Sequence, residues 1–172
     1  MDNKMKIISV EKITVNLGVG ESGERLDFAK ELLAKLSGRK PIETLAKKRN
    51  PVWKLRIGLP IGVKVTLRGK PAHNFLEKAL IARRKPLEVR NFDRTGNFSF
   101  GVAEYIDFPG AKYDPAIGMF GFDVCVTLSR KGKRVAQRKI KTTFIGKNQY
   151  ISKEEAIDFA KSVLKAKVDE PQ

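Results

Sequence analysis

Lys47–Lys70, KKRNPVWKLRIGLPIGVKVTLRGK, carries eight cations: Lys47, Lys48, Arg49, Lys54, Arg56, Lys64, Arg68 and Lys70. No Asp or Glu occurs between Glu43 and Glu77. The second half alternates, with Val63, Val65 and Leu67 on one side and Lys64, Thr66 and Arg68 on the other. A strand of this pattern buries one face and offers cations and a hydroxyl on the other. The first half, Lys47 to Arg56, strings cations around Pro51 and Trp53 and reads as a projecting basic loop. A solvated charged edge that deters aggregation is the alternative, although an ordinary solvated face mixes signs.

The whole chain has the same bias. Its 172 residues fit one domain, 1–172, with 168–172 as a frayed tail. Lys+Arg number 35 against 19 Asp+Glu, a formal net charge of +16. Such a charge repels itself, and a polyanion relieves it. Nucleic acid is the first candidate and an anionic membrane surface the second. No apolar run approaches the roughly 18 residues that span a bilayer, no lipidation signal is present, and the opening MDNKMK has no signal-peptide apolar region. The single cysteine, Cys125, reads as a buried structural thiol in a reducing compartment. The single histidine, His73, reads as a surface imidazole. Metal-centred and thiol chemistry are therefore set aside, and no cofactor is expected.

Taken in order, Ile8–Leu17 alternates as a strand, with Ile13, Val15 and Leu17 on one face and Lys12, Thr14 and Asn16 on the other. Gly18-Val-Gly-Glu-Ser-Gly23 follows, then a helix from about Glu24 to Leu36 with Leu26, Leu33 and Leu36 as its stripe and Gly38 as its stop. This is a formal G-x-G-x-x-G match between a strand and a helix. Glu21, Glu24 and Asp27 would repel a pyrophosphate, however, and no further βα units build a doubly wound sheet. Pro41–Leu45 is a short strand; Lys54–Ile57 and Ile61–Arg68 read as a strand pair. A helix from about Ala72 to Arg84 buries Phe75, Leu76, Ala79 and Leu80, and Pro86 stops it. Arg83-Arg84-Lys85 at its end suits either phosphate contact or the helix dipole.

Arg94 to Val102 invites comparison with the RNA-recognition-motif signature. Phe98 and Phe100 share a face, but the spacing is off by one, and Phe108, Phe120 and Phe122 suggest a packed aromatic cluster. Tyr105–Gly121 reads as a long surface loop. Phe122–Leu128 and Val135–Thr142 read as a hairpin across a second basic region, Arg130 to Lys147, again with eight cations and no acid. Ser152-Lys-Glu-Glu155 is a capping box that opens a helix to about Lys167, with Ala156, Phe159, Ala160, Val163 and Leu164 as its stripe.

The expected fold class is α+β: an antiparallel β-sheet with helices packed on one face, RRM-like or ferredoxin-like, with a long basic loop. The uncovered face receives Lys12, Thr14, Asn16, Lys64, Thr66 and Arg68. Such a platform suits RNA; DNA's major groove would need a basic recognition helix, and none is apparent.

The assembled segments resemble the large-subunit ribosomal protein family that binds 5S rRNA, protein five of the large subunit, in its archaeal type. The resemblance runs through Val10-Glu-Lys-Ile-Thr-Val-Asn-Leu-Gly-Val-Gly20, Ser37-Gly-Arg-Lys-Pro41, Lys47-Lys48, Lys54–Gly69, Gly96-Asn-Phe-Ser-Phe-Gly101, Phe108-Pro109 and Ile151-Ser-Lys-Glu-Glu-Ala156. It implies a non-enzymatic constituent of the cytoplasmic ribosome that attaches 5S rRNA in the central protuberance, beside large-subunit rRNA and neighbouring proteins. It also implies a loop towards P-site tRNA and a bridge to the small-subunit head. By position, Asn16 and Thr66 correspond to the 5S-contacting polar residues, with Lys12, Lys64 and Arg68 as phosphate partners. Arg39 stands where bacterial relatives have Gln, which implies a charge-assisted contact in place of an amide one. The tRNA-facing loop corresponds to Lys47–Arg56, with Lys48, Arg49 and Trp53 foremost, and the bridge to the loop between Asp107 and Gly118. Two rivals stand beside this reading: a nucleotide-dependent enzyme using Gly18–Gly23, and a generic RNA-binding module with no ribosomal home.

Overall fold

The computed structural model describes residues 3, 5–84, 86–115, 117–166 and 168–169. Its centre is a five-stranded sheet built from β1 (Ile8–Gly18), β2 (Ile42–Leu45), β3 (Pro60–Leu67), β5 (Phe98–Val102) and β6 (Phe122–Arg130), in the order β2-β3-β1-β6-β5. Every neighbouring pair is antiparallel. β1 and β2 therefore run the same way with β3 between them, the split β-α-β arrangement of ferredoxin-like folds. Helix α1 (Glu24–Ser37) makes that crossover, and α2 (Lys70–Ala82) leads from β3 towards β5. The expected α+β fold with an antiparallel sheet is the one observed.

Alternation explains the layering. Ile13, Val15 and Leu17 of β1 meet Val63, Val65 and Leu67 of β3 and Val124, Val126 and Leu128 of β6 in the core. Against them α1 lays Leu26, Ala29, Leu32 and Leu33, and α2 lays Ala72, Phe75, Leu76 and Ala79. Phe98 and Phe100 are buried too, so the core reading of these aromatics stands over base stacking. Gly38 stops α1 in the left-handed conformation (φ 63°), donating its N–H to Ala34 O. Gly62 is required for a different reason: three strands converge there, and a Cβ would lie 2.8 Å from Thr44 Oγ1 and 2.9 Å from Leu17 O.

Two expected strands are absent. Lys54–Ile57 is a turn, with Lys54 at φ 54° and only Leu55 bridged, to Asn50. Val135–Thr142 does not return along β6; a one-turn helix, α3 (Arg134–Gln137), leads into irregular chain. The reason is the same for both. β3 already pairs with β1 and β2, and β6 with β1 and β5, so neither has a free edge. At the C-terminal end, the capping box forms as expected: Ser152 Oγ accepts from Glu155 N, and Glu155 accepts from Ser152 N. Helix α4 (Lys153–Ser162) ends earlier than expected, and Val163 is 58% exposed and not part of its buried stripe. Val168–Asp169 (β7) is not frayed; it pairs in parallel with Leu87–Glu88 (β4), and 170–172 lie outside the described residues.

Candidate nucleic-acid interface

Among the described residues no helix packs over the second face of the sheet, and Lys64 and Thr66 stay exposed on it. The strand register sets its side chains in rows. One row runs Lys64, Asn16, Asp123, Gly101, with Ile42 flanking Lys64 on β2; the next runs Thr66, Thr14, Cys125, Ser99. Lys12 lies across from Thr127, and Arg68 follows β3 directly. The structure thus brings Lys12, Thr14, Asn16, Lys64, Thr66 and Arg68 onto one surface, as their alternation required. Lys64, Thr66 and Arg68 are exposed, while Lys12, Thr14 and Asn16 are half-buried between neighbouring strands. Arg39, exposed, sits just beyond the α1 C-cap and three residues before Ile42, near the β2 edge of this face.

Several members of the face escaped the sequence reading. Asp123 and Cys125 alternate with core residues Val124 and Val126, so their outward direction was legible, but only the register shows them beside Asn16 and Thr14. Cys125 is consequently exposed, and the expected buried thiol is incorrect. Partial burial, with help from the Asp123 carboxylate, pushes its thiol pKa up, away from reactive thiolate. Glu11 sits at a bulge in β1 and accepts from Lys133 Nζ (2.7 Å) and Gln137 Nε2 (3.4 Å), with Arg68 Nη1 at 3.8 Å. Arg68 is therefore partly committed to Glu11.

Burial pushes the Glu11 carboxyl up, but the Lys133 hydrogen bond and charge, the Gln137 bond and the Lys12 charge outweigh it, and the net shift is down. A carboxyl whose folded pKa is depressed contributes stability above its unfolded value, about 4.3, and loses it as pH falls through the folded one. Glu11→Gln should therefore be less stable than the parent at neutral pH and converge with it below about pH 4. Denaturant melts at pH 7 and pH 3 check this; a gap that does not change with pH would dismiss the tether.

The basic loop is an ordered finger. Ala46 and Gly58 close its base, with Ala46 N donating to Leu59 O and Gly58 N to Ala46 O. Asn50 and Leu55 exchange both backbone hydrogen bonds, and Asn50 Oδ1 accepts from Val52 N. Val52 (84% exposed) and Trp53 (71%) occupy the tip, so Trp53 does not pack beneath its own loop. Lys47, Lys48, Arg49, Lys54 and Arg56 are all exposed or half-exposed around it. Trp53 and these cations are thus open to solvent at the tip and sides of the finger.

The other sequence signals resolve into structure. Val19 N and Gly20 N both donate to Ile61 O, so the glycine loop is tied to β3 and cannot cradle a phosphate with those groups. Arg83 lies over the Phe100 ring and donates to Asn91 Oδ1, while Arg84 pairs with Asp107 yet stays largely exposed; Lys85 is outside the described residues. In the 107–118 loop, Tyr105 Oη accepts from Asp114 N while Tyr113 stays exposed. Among the described residues no helix is long and apolar enough to cross a membrane.

Two family profiles cover almost the entire chain: one described as ribosomal protein L5 over residues 3–56, and one described as the C-terminus of that ribosomal family over 60–167. The chain belongs to the ribosomal protein L5 family. Relatives named large ribosomal subunit protein uL5 include that of Methanococcus maripaludis strain C5, 48% identical over 167 residues, which are 95% of this chain and 92% of that protein. The Sulfurisphaera tokodaii protein of the same name is 51% identical over 160 residues, 92% and 90% of the two chains. This L5-family chain is thus an archaeal-type constituent of the large ribosomal subunit, structural and not enzymatic, with ribosomal RNA and the ribosome as its partners.

Proposed function

We propose that the open sheet face binds 5S rRNA and helps to hold it in the central protuberance. The observation that carries this reading is the two polar rows on the uncovered face, one of them begun by Lys64, flanked by Lys12, Arg68 and Arg39 and standing in an L5-family fold. The cations neutralise phosphates and supply most of the affinity. Asn16, Thr66 and Thr14 offer donors and acceptors to base edges and 2′-hydroxyls. Asp123, a carboxylate among cations, would accept only from base N–H groups or hydroxyls, which selects against a bare phosphate at that point. The finger around Trp53 extends to P-site tRNA, and the 107–118 loop meets the small-subunit head.

A competition titration of the purified chain against 5S rRNA in excess tRNA, at two salt concentrations, tests this. Binding should survive the competitor, and log K should fall with log[salt] at roughly −0.7 to −0.9 per phosphate contact. Replacing the finger 47–58 by a short turn should leave 5S affinity nearly intact. Binding lost equally to any RNA would instead establish the generic RNA-binding module, and loss of 5S binding with the finger would move the site.

A further inference from the structure

The second basic stretch is not used by any contact described so far except at its root. No carboxylate occurs between Asp123 and Glu154. Arg130 is buried against Asn148 O and Glu155, and Lys133 bonds Glu11. Lys131, Arg134, Arg138, Lys139, Lys141 and Lys147 have no carboxylate partner among the described residues. Beyond α3 the chain is irregular yet pinned. Thr142 Oγ1 donates to Arg138 O at 2.6 Å, Arg138 Nε to Lys141 O at 2.8 Å, and Gln149 Nε2 to Lys131 O at 2.6 Å. These local bonds leave large apolar groups outside: Phe144 is 100% exposed and Ile140 75%. Phe144, Val135 and Met5 form the apolar side of a groove whose rim carries Lys131 and Lys147.

A bare phenyl ring on an apolar wall, with cations at the rim and no carboxylate in the groove's lining, calls for a partner that is both flat and anionic, which describes a nucleotide. A base lies on the apolar wall and its phosphates meet the lysines. The root of this arm is also joined to the sheet face, because Glu11 is shared between Lys133 and Gln137 on one side and Arg68 on the other. The two basic surfaces are therefore continuous, and one RNA can cover both.

We propose that residues 131–147 form an arm that lengthens the RNA-binding face, with Phe144 stacking on an unpaired base and Lys139, Lys141 and Lys147 neutralising the phosphates beside it. This rests on the 5S reading and adds a second contact region to it.

The test titrates the full chain against 5S rRNA as parent, Phe144→Ala, Phe144→Tyr and Asn16→Ala, with hydroxyl-radical footprints of each complex. Phe144 is solvent-exposed, so its variants should melt with the parent. Phe144→Ala should weaken binding roughly 5- to 150-fold, the range of one lost base stack, and Phe144→Tyr should restore it. Its footprint should lose protection at nucleotides different from those lost with Asn16→Ala. Phe144→Ala binding like the parent, as it would if the arm took a protein partner, overturns the proposal, as does a footprint identical to that of Asn16→Ala. A parent that fails to prefer 5S rRNA over tRNA removes the 5S reading instead; the Ala-to-Tyr ratio on those RNAs still decides the arm.

Discussion

A chain carrying Asn16→Ala and Thr66→Ala together should bind 5S rRNA about 1–6 kcal/mol more weakly than the parent, with its salt dependence unchanged. Each side chain faces the open sheet on a neighbouring strand, Asn16 across from Lys64 and Thr66 across from Thr14. Each removal leaves a polar group of the RNA desolvated without a partner, which costs about 1–3 kcal/mol. The residues are near enough that the two losses need not sum fully. No cation is removed, so the number of displaced counterions, and hence the slope of log K against log[salt], should stay fixed. Isothermal titration at three salt concentrations separates the two quantities. Affinity within twofold of the parent would show that these rows do not face the RNA. A shallower slope would show that the variant docks in another register.

Phe75→Ala should lower the melting temperature by roughly 6–20 °C. Phe75 is buried under α2, with its ring 4.9 Å from that of Phe108 and 6.4 Å from that of Phe122. Its loss opens a cavity that joins helix, sheet and the 107–118 loop. A buried Phe→Ala change costs about 3–5 kcal/mol, and a chain of this size loses about 2–4 °C per kcal/mol. Calorimetry of the free protein reads this directly. A shift below about 3 °C would mean that the aromatic cluster relaxes around the gap and does not anchor the loop. Because Phe75 lies on the covered side of the sheet, the variant that remains folded should keep its affinity for RNA.

The sheet face was legible from the sequence because two-residue periodicity dictates which side chains share a face, whatever the neighbours are. Lys12, Thr14 and Asn16 on β1, and Lys64, Thr66 and Arg68 on and just past β3, followed from that rule alone. The aromatic pair Phe98 and Phe100 was placed in the core by the same rule combined with the nearby phenylalanines. Pairing was not legible. Lys54–Ile57 and Val135–Thr142 have plausible strand composition, but whether a strand forms depends on a free edge, and the edges of β3 and β6 were already taken by distant segments. Asp123 and Cys125 became neighbours of Asn16 and Thr14 for a reason equally invisible locally, the register across β1 and β6. Glu11 escaped because a bulge breaks the alternation that made its neighbours readable.

The central position of β1 also bears on the order of synthesis. β1 is paired on one side with β3 and on the other with β6, whose residues Phe122–Arg130 are made about a hundred positions later. At translation rates of about 5–20 residues per second, one hydrogen-bonding edge of β1 waits roughly 5–20 s for its partner. During that interval Ile13, Val15 and Leu17 lack the β6 neighbours, Val124, Val126 and Leu128, that complete their side of the core. Whatever shields that edge until β6 emerges governs how much of the chain reaches the native sheet.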